Sequence, residues 1–359
     1  MKIAIDARPF SGPTNGFTVY LTSILETLVP AGHEITLIAD APLPELALFK
    51  GCAQVILPAS GKVDRYLWAQ RTLLRHLRHS SYDVYFVGSN TGLPVLYFGK
   101  TKLLLGLLDI IPLRFPMAYL ARRPDITLVK YLIPQFSAIL KARQIITISE
   151  ASRRDIKKLF PWKKVTMSHI KLDTTYVVKQ PAKIQPQFVY VGGVDARKKI
   201  DTIIRALALF NKTSEVPYNL QLIGRGYNVY DELINELGLA NLVIMPGYLS
   251  EERKMQVIAE STAMVYLSLY EGYGLAITEA YLNNVPIICG PGGSQKEIAG
   301  DGALYVDPKD PQEVAEAMRE ILKPDVRERL KQGAEIQLKA LISSSIDQNV
   351  LNFFKEAAK

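Results

Sequence analysis

The stretch Ser268-Leu-Tyr-Glu-Gly-Tyr-Gly-Leu-Ala-Ile-Thr-Glu-Ala-Tyr-Leu282 decides how this chain is read. The apolar run before it, residues 263–267, has the character of a buried parallel strand. A turn carrying Gly272 and Gly274 follows, then a helix starting near Leu275. Strand, glycine turn and helix N-terminus together make a site for anions, because free N–H groups and the positive end of the helix dipole face whatever lies above the turn. Glu271 sits on the turn and Glu279 eight positions on, inside the helix. A carboxylate beside a phosphate would repel it, so both acids are read as acceptors for hydroxyl groups. One phosphate pocket flanked by two hydroxyl acceptors suits a sugar nucleotide. An ordinary strand–turn–helix with both acids solvated has the same pattern, since glycine turns are common in α/β sheets.

Outward from this stretch the second half repeats one theme. Phe188-Val-Tyr-Val-Gly-Gly193 opens an αβ series, and strands are expected at 220–223, 242–245, 263–267, 285–289 and 303–306 with helices between. Residues 310–321 are amphipathic, and 346–359 read as a last helix crossing back to the first domain. Between Lys171 and Gln187 the composition turns Lys-, Gln- and Pro-rich with weak periodicity, which reads as a hinge.

The first half begins strand (2–7), loop (8–16), helix (17–28), strand (32–39): a βαβ unit without the Gly-x-Gly-x-x-Gly fingerprint. Residues 62–79 form an amphipathic helix with Leu67, Leu74 and Leu77 near one face and Arg71, Arg75 and Arg78 near another. Such a helix either packs on its own sheet or lies on anionic lipid. His76 and His79 are three apart, without further ligands for a metal. Residues 83–87, 102–108 and 145–149 read as buried strands. Ser149 is a plausible N-cap for 150–159, and residues 117–143 mix aromatic and aliphatic residues with Arg122, Arg123, Lys130, Lys141 and Arg143.

The bulk properties set the class. The chain has 359 residues, 48% hydrophobic and 22% charged, which fits a globular protein of about two domains. Its first residues lack the apolar length of a signal peptide, and the apolar stretch near Leu103 is interrupted by Asp109 and Pro112 before it reaches a membrane span. Cys52 and Cys289 lie in different halves and suggest no disulfide framework, which fits the cytoplasm. Residues 1–180 carry 24 Lys and Arg against 12 Asp and Glu, and the remainder 19 against 23. The basic front half favours an anionic acceptor or the inner face of a membrane. No nucleic acid is expected as a partner.

The run Glu271-Gly-Tyr-Gly-Leu-Ala-Ile-Thr-Glu-Ala280 resembles the Glu-x7-Glu signature of retaining glycosyltransferases of family four, which have the GT-B fold. The resemblance extends, strongly from Val189 to Pro308 and more loosely before, over nearly the whole chain. Asp195-Ala-Arg-Lys-Lys199 resembles the family's Arg-Lys-Asn turn, Met245-Pro-Gly-Tyr-Leu249 its base-holding segment, and Thr147-Ile-Ser-Glu-Ala-Ser-Arg-Arg-Asp-Ile156 the end of its first domain. Leu108-Asp-Ile-Ile-Pro112 matches the His-Asp-(Leu/Ile)-Ile-Pro of the mannosyltransferase-like branch except that Leu108 replaces the histidine. Gly16-Phe-Thr-Val-Tyr20 keeps the first and last residues of a phosphate-approaching loop, while Thr18 departs from it, and an arginine of other branches falls at Gly193.

This resemblance implies an α/β protein of two Rossmann-like doubly wound parallel-sheet domains facing a cleft: an acceptor-side domain over 1–180, a nucleotide-sugar domain over 181–340, and a C-terminal helix within 341–359. It implies Glu271, Arg197 and Lys198 as catalytic residues. Donor contacts would come from Gly16, Asp109, Gly247, Tyr248, Leu249, Gly272, Tyr273, Gly274, Leu275 and Glu279. The expected reaction is retaining transfer of a hexose from a UDP- or GDP-sugar to a saccharide or lipid-linked saccharide. The chain has no Asp-x-Asp, the pattern that chelates Mg²⁺ or Mn²⁺ through a diphosphate, so no metal or other cofactor is expected. Leu108, Thr18 and Gly193 also admit a non-catalytic module that binds a sugar nucleotide without turning it over.

Overall fold

A computed structural model describes residues 1–12, 14–59, 61, 67–117, 128–178, 181 and 183–359, without the side chains of 129 and 130. Met1–Lys171 with Ser345–Lys359 form one compact unit, and Leu172–Ser344 form another.

The described part of the first unit is built on seven parallel strands: β1 (Lys2–Asp6), β2 (Glu34–Ala39), β3 (Ala53–Ile56), β4 (Val84–Val87), β5 (Lys102–Gly106), β6 (Gln144–Thr147) and β7 (Val165–Met167). Their order is β3-β2-β1-β4-β5-β6-β7. The order reverses between β1 and β4, the hallmark of a doubly wound sheet. The central strands are buried on both faces and read as apolar runs, whereas β3 and β7 are short edges that stay exposed or half-buried.

Gly16–Leu28 is the first helix. Asn15 caps it by accepting from the Phe17 and Thr18 N–H groups, and Thr18 returns the favour by accepting from the Asn15 N–H at 3.1 Å. Thr18 is therefore the N3 residue of a capping box. A Cβ built on Gly16 would meet nothing within 4 Å.

The continuous helix expected over 62–79 does not form where the chain is described. A 3₁₀ turn (Trp68–Gln70) and a helix (Thr72–Arg78) are separated at Arg71, whose φ of −121° and ψ of −71° break the ladder. Tertiary packing sets this break: fully buried Trp68 donates its indole N–H to the Leu57 carbonyl at 2.8 Å, and the Gln70 amide is spent on Leu93 and Val95. Leu73, Leu74 and Leu77 face the core while Arg71, Arg75 and Arg78 are exposed. Residues 62–66 of that expected helix, and Arg122 and Arg123, lie outside the described residues.

The last helix, Ile346–Ala358, belongs to this unit. Phe353 and Phe354 meet Phe86 of β4 at ring distances of 6.4 and 5.2 Å. At its start, Asp347 accepts from the Thr27 hydroxyl and pairs with Lys171 at 2.6 Å.

The described part of the second unit carries six parallel strands: β8 (Gln185–Val191), β9 (Asn219–Ile223), β10 (Val243–Gly247), β11 (Ser261–Tyr266), β12 (Ile287–Cys289) and β13 (Ala303–Tyr305). Their order is β10-β9-β8-β11-β12-β13, so this sheet reverses between β8 and β11. The boundary between units falls after Lys171, earlier than residue 180. Lys171 is tied to the first unit through Ser23 and Asp347, while the Val178 N–H donates to Asn283 of the second at 2.8 Å. The expected hinge also ends early, because β8 already runs from Gln185. Gln187 is buried and bridges neighbouring strands: its amide donates to Ser261 and its carbonyl accepts from Gln221, both at 3.1 Å. Residues 179, 180 and 182 of that hinge lie outside the described residues.

Candidate active site

The site assembles where the second sheet reverses. Parallel β8 and β11 lie side by side, and the turns leaving their C-terminal ends adjoin at the usual ligand position of an open α/β sheet. The turn after β8 is Ala196–Lys198, held by Asp195, whose carboxylate accepts from the Arg197 N–H at 3.0 Å. The turn after β11 carries Glu271 and leads to the helix Leu275–Leu282. A backbone bond joins the two turns, from the Leu269 N–H to the Arg197 carbonyl at 2.8 Å.

Arg197 Nη1 donates to the Tyr270 carbonyl at 2.6 Å and to the Ser268 hydroxyl at 3.3 Å. Glu271 Oε1 lies 2.7 Å from the same nitrogen as a charge contact, and Lys198 Nζ stands 3.8 Å from that oxygen. Burial alone would push the Glu271 carboxyl up, but the Lys198 and Arg197 charges, with the polar groups of Ser268 and Arg197 close by, outweigh it, so its pKa is lowered. For Arg197, burial opposes the charge and Glu271 with Asp195 overcomes it, leaving the guanidinium firmly protonated. Arg197 Nε and Glu271 Oε1 are buried without an aligned hydrogen-bond partner among the described residues. One is a cationic donor and the other an anionic acceptor, and each is suited to a polar ligand atom.

The Glu271 turn is clamped from the other side by the loop after β12. Ser294 donates from its N–H and its hydroxyl to the Glu271 carbonyl, at 3.0 and 3.1 Å, and Gln295 donates to the Ser268 carbonyl at 2.8 Å. This contact demands glycine: a Cβ at Gly292 would sit 2.0 Å from the Leu269 carbonyl oxygen, and one at Gly293 (φ +66°) 2.3 Å from that of Glu271. Gly274, at φ +101°, opens the Leu275–Leu282 helix with no side-chain cap, which leaves its first N–H groups for a ligand. Gly272 and Tyr273 are buried in the same turn, and Leu275 is half-buried at the helix start.

Glu279 projects from the next turns of that helix and accepts from Lys254 at 2.9 Å. Lys254, which sequence reasoning missed, also pairs with Glu251 at 2.6 Å. One cation thus serves two acids. Burial, with Glu251 adding to it, raises the Glu279 pKa against the pull of Lys254. Lys254 itself is opposed by burial and raised overall by Glu279 and Glu251. Only its place in an Glu-Glu-Arg-Lys helix start is visible in the sequence, and that looks like a solvated face.

Gly247 ends β10 in this unit, and Tyr248 and Leu249 follow it. Gly247 takes φ +78° and its carbonyl accepts from the Gly224 N–H at 3.0 Å, while Tyr248 is exposed with the Arg225 guanidinium 5.5 Å above its ring. Gly16 and Asp109 lie in the first unit. Asp109 accepts from the Ile111 N–H at 3.0 Å, and its neighbour Leu108 is buried, with its N–H on Asn90 and its carbonyl on Ser152. Two cavities of the second unit lie away from these residues: one of about 350 Å³ sits between Tyr281 and Arg327, and one of about 630 Å³ beside Arg205 and Leu239. Among the described residues no group of three or more His, Cys, Asp or Glu could hold a metal ion.

Comparison with known proteins shows the family and the fold. Residues 14–171 match Glycosyltransferase Family 4, and residues 176–337 match Glycosyl transferases group 1. The O-antigen chain mannosyltransferase B of Escherichia coli is 28% identical over 51% of this chain and 52% of its own. The MMP alpha-(1->4)-mannosyltransferase of Mycolicibacterium hassiacum is 27% identical over 50% of this chain and 46% of its own. The chain thus spans about half the length of the curated relatives it matches. Among solved structures, sucrose-phosphate synthase from Thermosynechococcus elongatus superposes with a TM-score of 0.80 at 17% identity, covering 99% of this chain and 98% of that one. Anabaena HepE in complex with UDP and glucose gives 0.74 at 16% identity, covering 99% and 100%. The protein is a member of the family-four glycosyltransferases, with the GT-B fold and its mannosyltransferase-like relatives.

Proposed function

We propose that this protein is a retaining, metal-independent glycosyltransferase. It moves a hexose from a nucleotide-diphosphate sugar to a hydroxyl of a saccharide or lipid-linked saccharide, in the synthesis of a cell-surface polysaccharide or glycoconjugate. The observation that carries this reading is the meeting of Arg197 Nη1 with Glu271 Oε1 at 2.7 Å, a cationic donor beside a buried anionic acceptor at the reversal of one sheet. A donor carrying both phosphate oxygens and sugar hydroxyls suits such a pair. The mannosyltransferases among the relatives make mannose the favoured hexose.

In this reading Arg197 and Lys198 neutralise the diphosphate and stabilise the charge that grows on it as the bond to the anomeric carbon breaks. The N–H groups opening the Leu275–Leu282 helix supplement them. Glu271 accepts from hydroxyls of the sugar and fixes its orientation, Glu279 accepts from the ribose, and the backbone of Gly247–Leu249 holds the base. Two protein cations and a helix start supply the positive charge, so no metal is invoked. Attack from the face the diphosphate leaves retains the anomeric configuration. The first unit carries the acceptor side, at the cytoplasmic face of an anionic membrane.

The test is incubation with a panel of UDP- and GDP-sugars, with and without saccharide acceptors, comparing the protein with Glu271→Ala. Sugar release or transfer by the first and none by a folded variant supports the assignment. Full activity in Glu271→Ala would remove it. Buried Leu108, which can neither donate a hydrogen bond nor titrate where the resembled His-Asp-(Leu/Ile)-Ile-Pro motif has histidine, favours a second reading as a binding module. Calorimetry showing nucleotide binding with no product from any acceptor would select that reading.

A further inference from the structure

Among the described residues, large apolar side chains lie exposed together in the first unit. Phe98 is 84% exposed, Trp162 67% and Ile133 54%. Ile133, Phe136 and Leu140 follow one another along one face of the helix Ile133–Lys141, whose other face buries Gln135, Ala138 and Ile139. Contacts join the pieces into one surface. Phe136 packs on Phe160 at 5.6 Å, and Phe160 on Trp162 at 5.8 Å. Lys163 donates to the Leu140 and Ala142 carbonyls at 2.8 and 2.7 Å, fastening the Trp162 segment to the helix end. The Lys141 ammonium stands 4.0 Å above the Phe98 ring. An apolar surface of this kind marks an interaction site.

The charge of the same segment selects the partner. Residues 128–164 carry nine Lys and Arg against two Asp and Glu. Both acids are already engaged, Glu150 by Arg153 and Asp155 by Arg114. Six of the nine cations are lysines. Protein–protein interfaces deplete lysine and enrich arginine, whereas a lipid surface accepts lysines whose stems lie on apolar groups and whose ammonium groups reach phosphates. Lys141 over Phe98 has that posture.

We propose that this face docks on an anionic lipid bilayer, with Phe98, Trp162 and the Ile133–Leu140 stripe entering the boundary between headgroups and acyl chains. The proposal deepens the membrane reading given above and assigns it to a surface other than the Thr72–Arg78 helix, whose leucines are already spent on the core. The docking is interfacial: no helix among the described residues is long and apolar enough to cross a membrane.

The test is flotation of the full chain with vesicles of equimolar phosphatidylcholine and phosphatidylglycerol, against phosphatidylcholine alone. Binding to the anionic vesicles, weakened by salt, is expected to shift tryptophan emission to the blue. The only other tryptophan, Trp68, is fully buried, so the shift reports Trp162. Trp162→Ser with Phe98→Ser is expected to weaken binding at least about tenfold, while circular dichroism and sugar-nucleotide turnover stay unchanged. Arg75→Glu with Arg78→Glu is expected to cost much less. Equal flotation with neutral vesicles, no flotation, or loss only in the Arg75/Arg78 variant would overturn the proposal. So would self-association in sedimentation that the Trp162/Phe98 variant abolishes without any vesicle binding. Normal flotation with no turnover would instead sink the transferase reading and leave the docking intact.

Discussion

Glu271 Oε1 lies 2.7 Å from Arg197 Nη1, so residues on the turns after two neighbouring strands meet as a largely buried ion pair. The contact is incomplete by hydrogen-bond geometry, since Nη1 directs its N–H groups at Tyr270 and Ser268. Glu271→Ala should therefore leave Arg197 with two hydrogen bonds and no adjacent Glu271 charge. Turnover should fall at least about a hundredfold, the scale of removing one preorganised group at a developing charge. The stability cost should stay within about 3 kcal/mol, the lower end for breaking a buried pair. Donor turnover and urea denaturation of the variant check both. Unchanged turnover would dissociate the pair from catalysis.

The sign of the Glu271 shift fixes an acid-side prediction. Its folded pKa lies below the unfolded value, so its contribution to stability is complete above the unfolded value and is lost as pH falls through the folded one. Glu150 and Asp347 shift in the same direction, so acid sensitivity of the whole protein does not isolate Glu271. The difference between the protein and Glu271→Gln does. That difference should be largest near neutrality and shrink on acidification through the carboxylate range. A pH-independent difference in denaturation midpoint would mean that the carboxylate is not held charged by Arg197 and Lys198.

Gly293 tests the clamp on the Glu271 turn. A methyl group there meets the Glu271 carbonyl oxygen at 2.3 Å in a backbone region that disfavours side chains. Gly293→Ala should cost about 1–3 kcal/mol in local strain and displace the carboxylate from Arg197. Turnover should fall by about tenfold or more, because small misplacements of a positioned group are expensive. Gly193→Ala is the control, with nothing within 4 Å of its added methyl. Equal behaviour of the two variants in a thermal melt and a turnover assay would count against the clamp.

What could be read in advance follows from how local the cause is. The Leu275–Leu282 and Glu150–Leu159 helices announce themselves through Gly274 and Ser149, whose roles depend on neighbours a few residues away. Central strands are legible because burial on both faces makes them apolar runs. The edges β3 and β7 are short and incompletely covered, so nothing in the sequence singles them out, and the same holds for the long helix Pro324–Ile342. Polarity misleads in both directions: Gln187 looks like linker and is buried strand, and Lys254 looks solvated and is the partner of Glu279. Thr18, a departure from the family loop, is explained by the capping box with Asn15, a purely local signal. The meeting of Arg197 with Glu271 depends on the order of strands and is invisible to any window of sequence.

Lys254 carries its own prediction, because one ammonium is shared by Glu251 and Glu279. Glu279 already has a raised pKa, so ionising it is unfavourable and its contribution to stability is present below the unfolded value and lost as pH rises through the folded one. Lys254→Met should raise that pKa further and destabilise the protein at neutral pH by about 3 kcal/mol. Adding Glu279→Gln should restore part of the loss by removing the stranded charge. In turnover, Lys254→Met should raise KM for the donor more than it lowers kcat, if Glu279 binds ribose away from the reacting bond. An equal fall in kcat with unchanged KM would place Glu279 at the chemistry instead.

The last helix offers a test confined to the first unit. Phe354 is fully buried against Phe86 of the central strand β4, at a ring distance of 5.2 Å, and Asp347 fastens the helix start to Thr27 and Lys171. An acid in the first turn also suits the helix dipole. Phe354→Ala removes a large side chain from a closed aromatic cluster and should cost about 3–5 kcal/mol. The loss should appear locally in hydrogen exchange: β4 and β5 should lose protection, while β8 and β11 keep theirs. The stability of Glu271 and its partners is built inside Leu172–Ser344, so nucleotide binding by the second unit should persist at temperatures where the first has opened. Equal loss of protection in both sheets would show that the helix supports the whole chain rather than the sheet on which it packs.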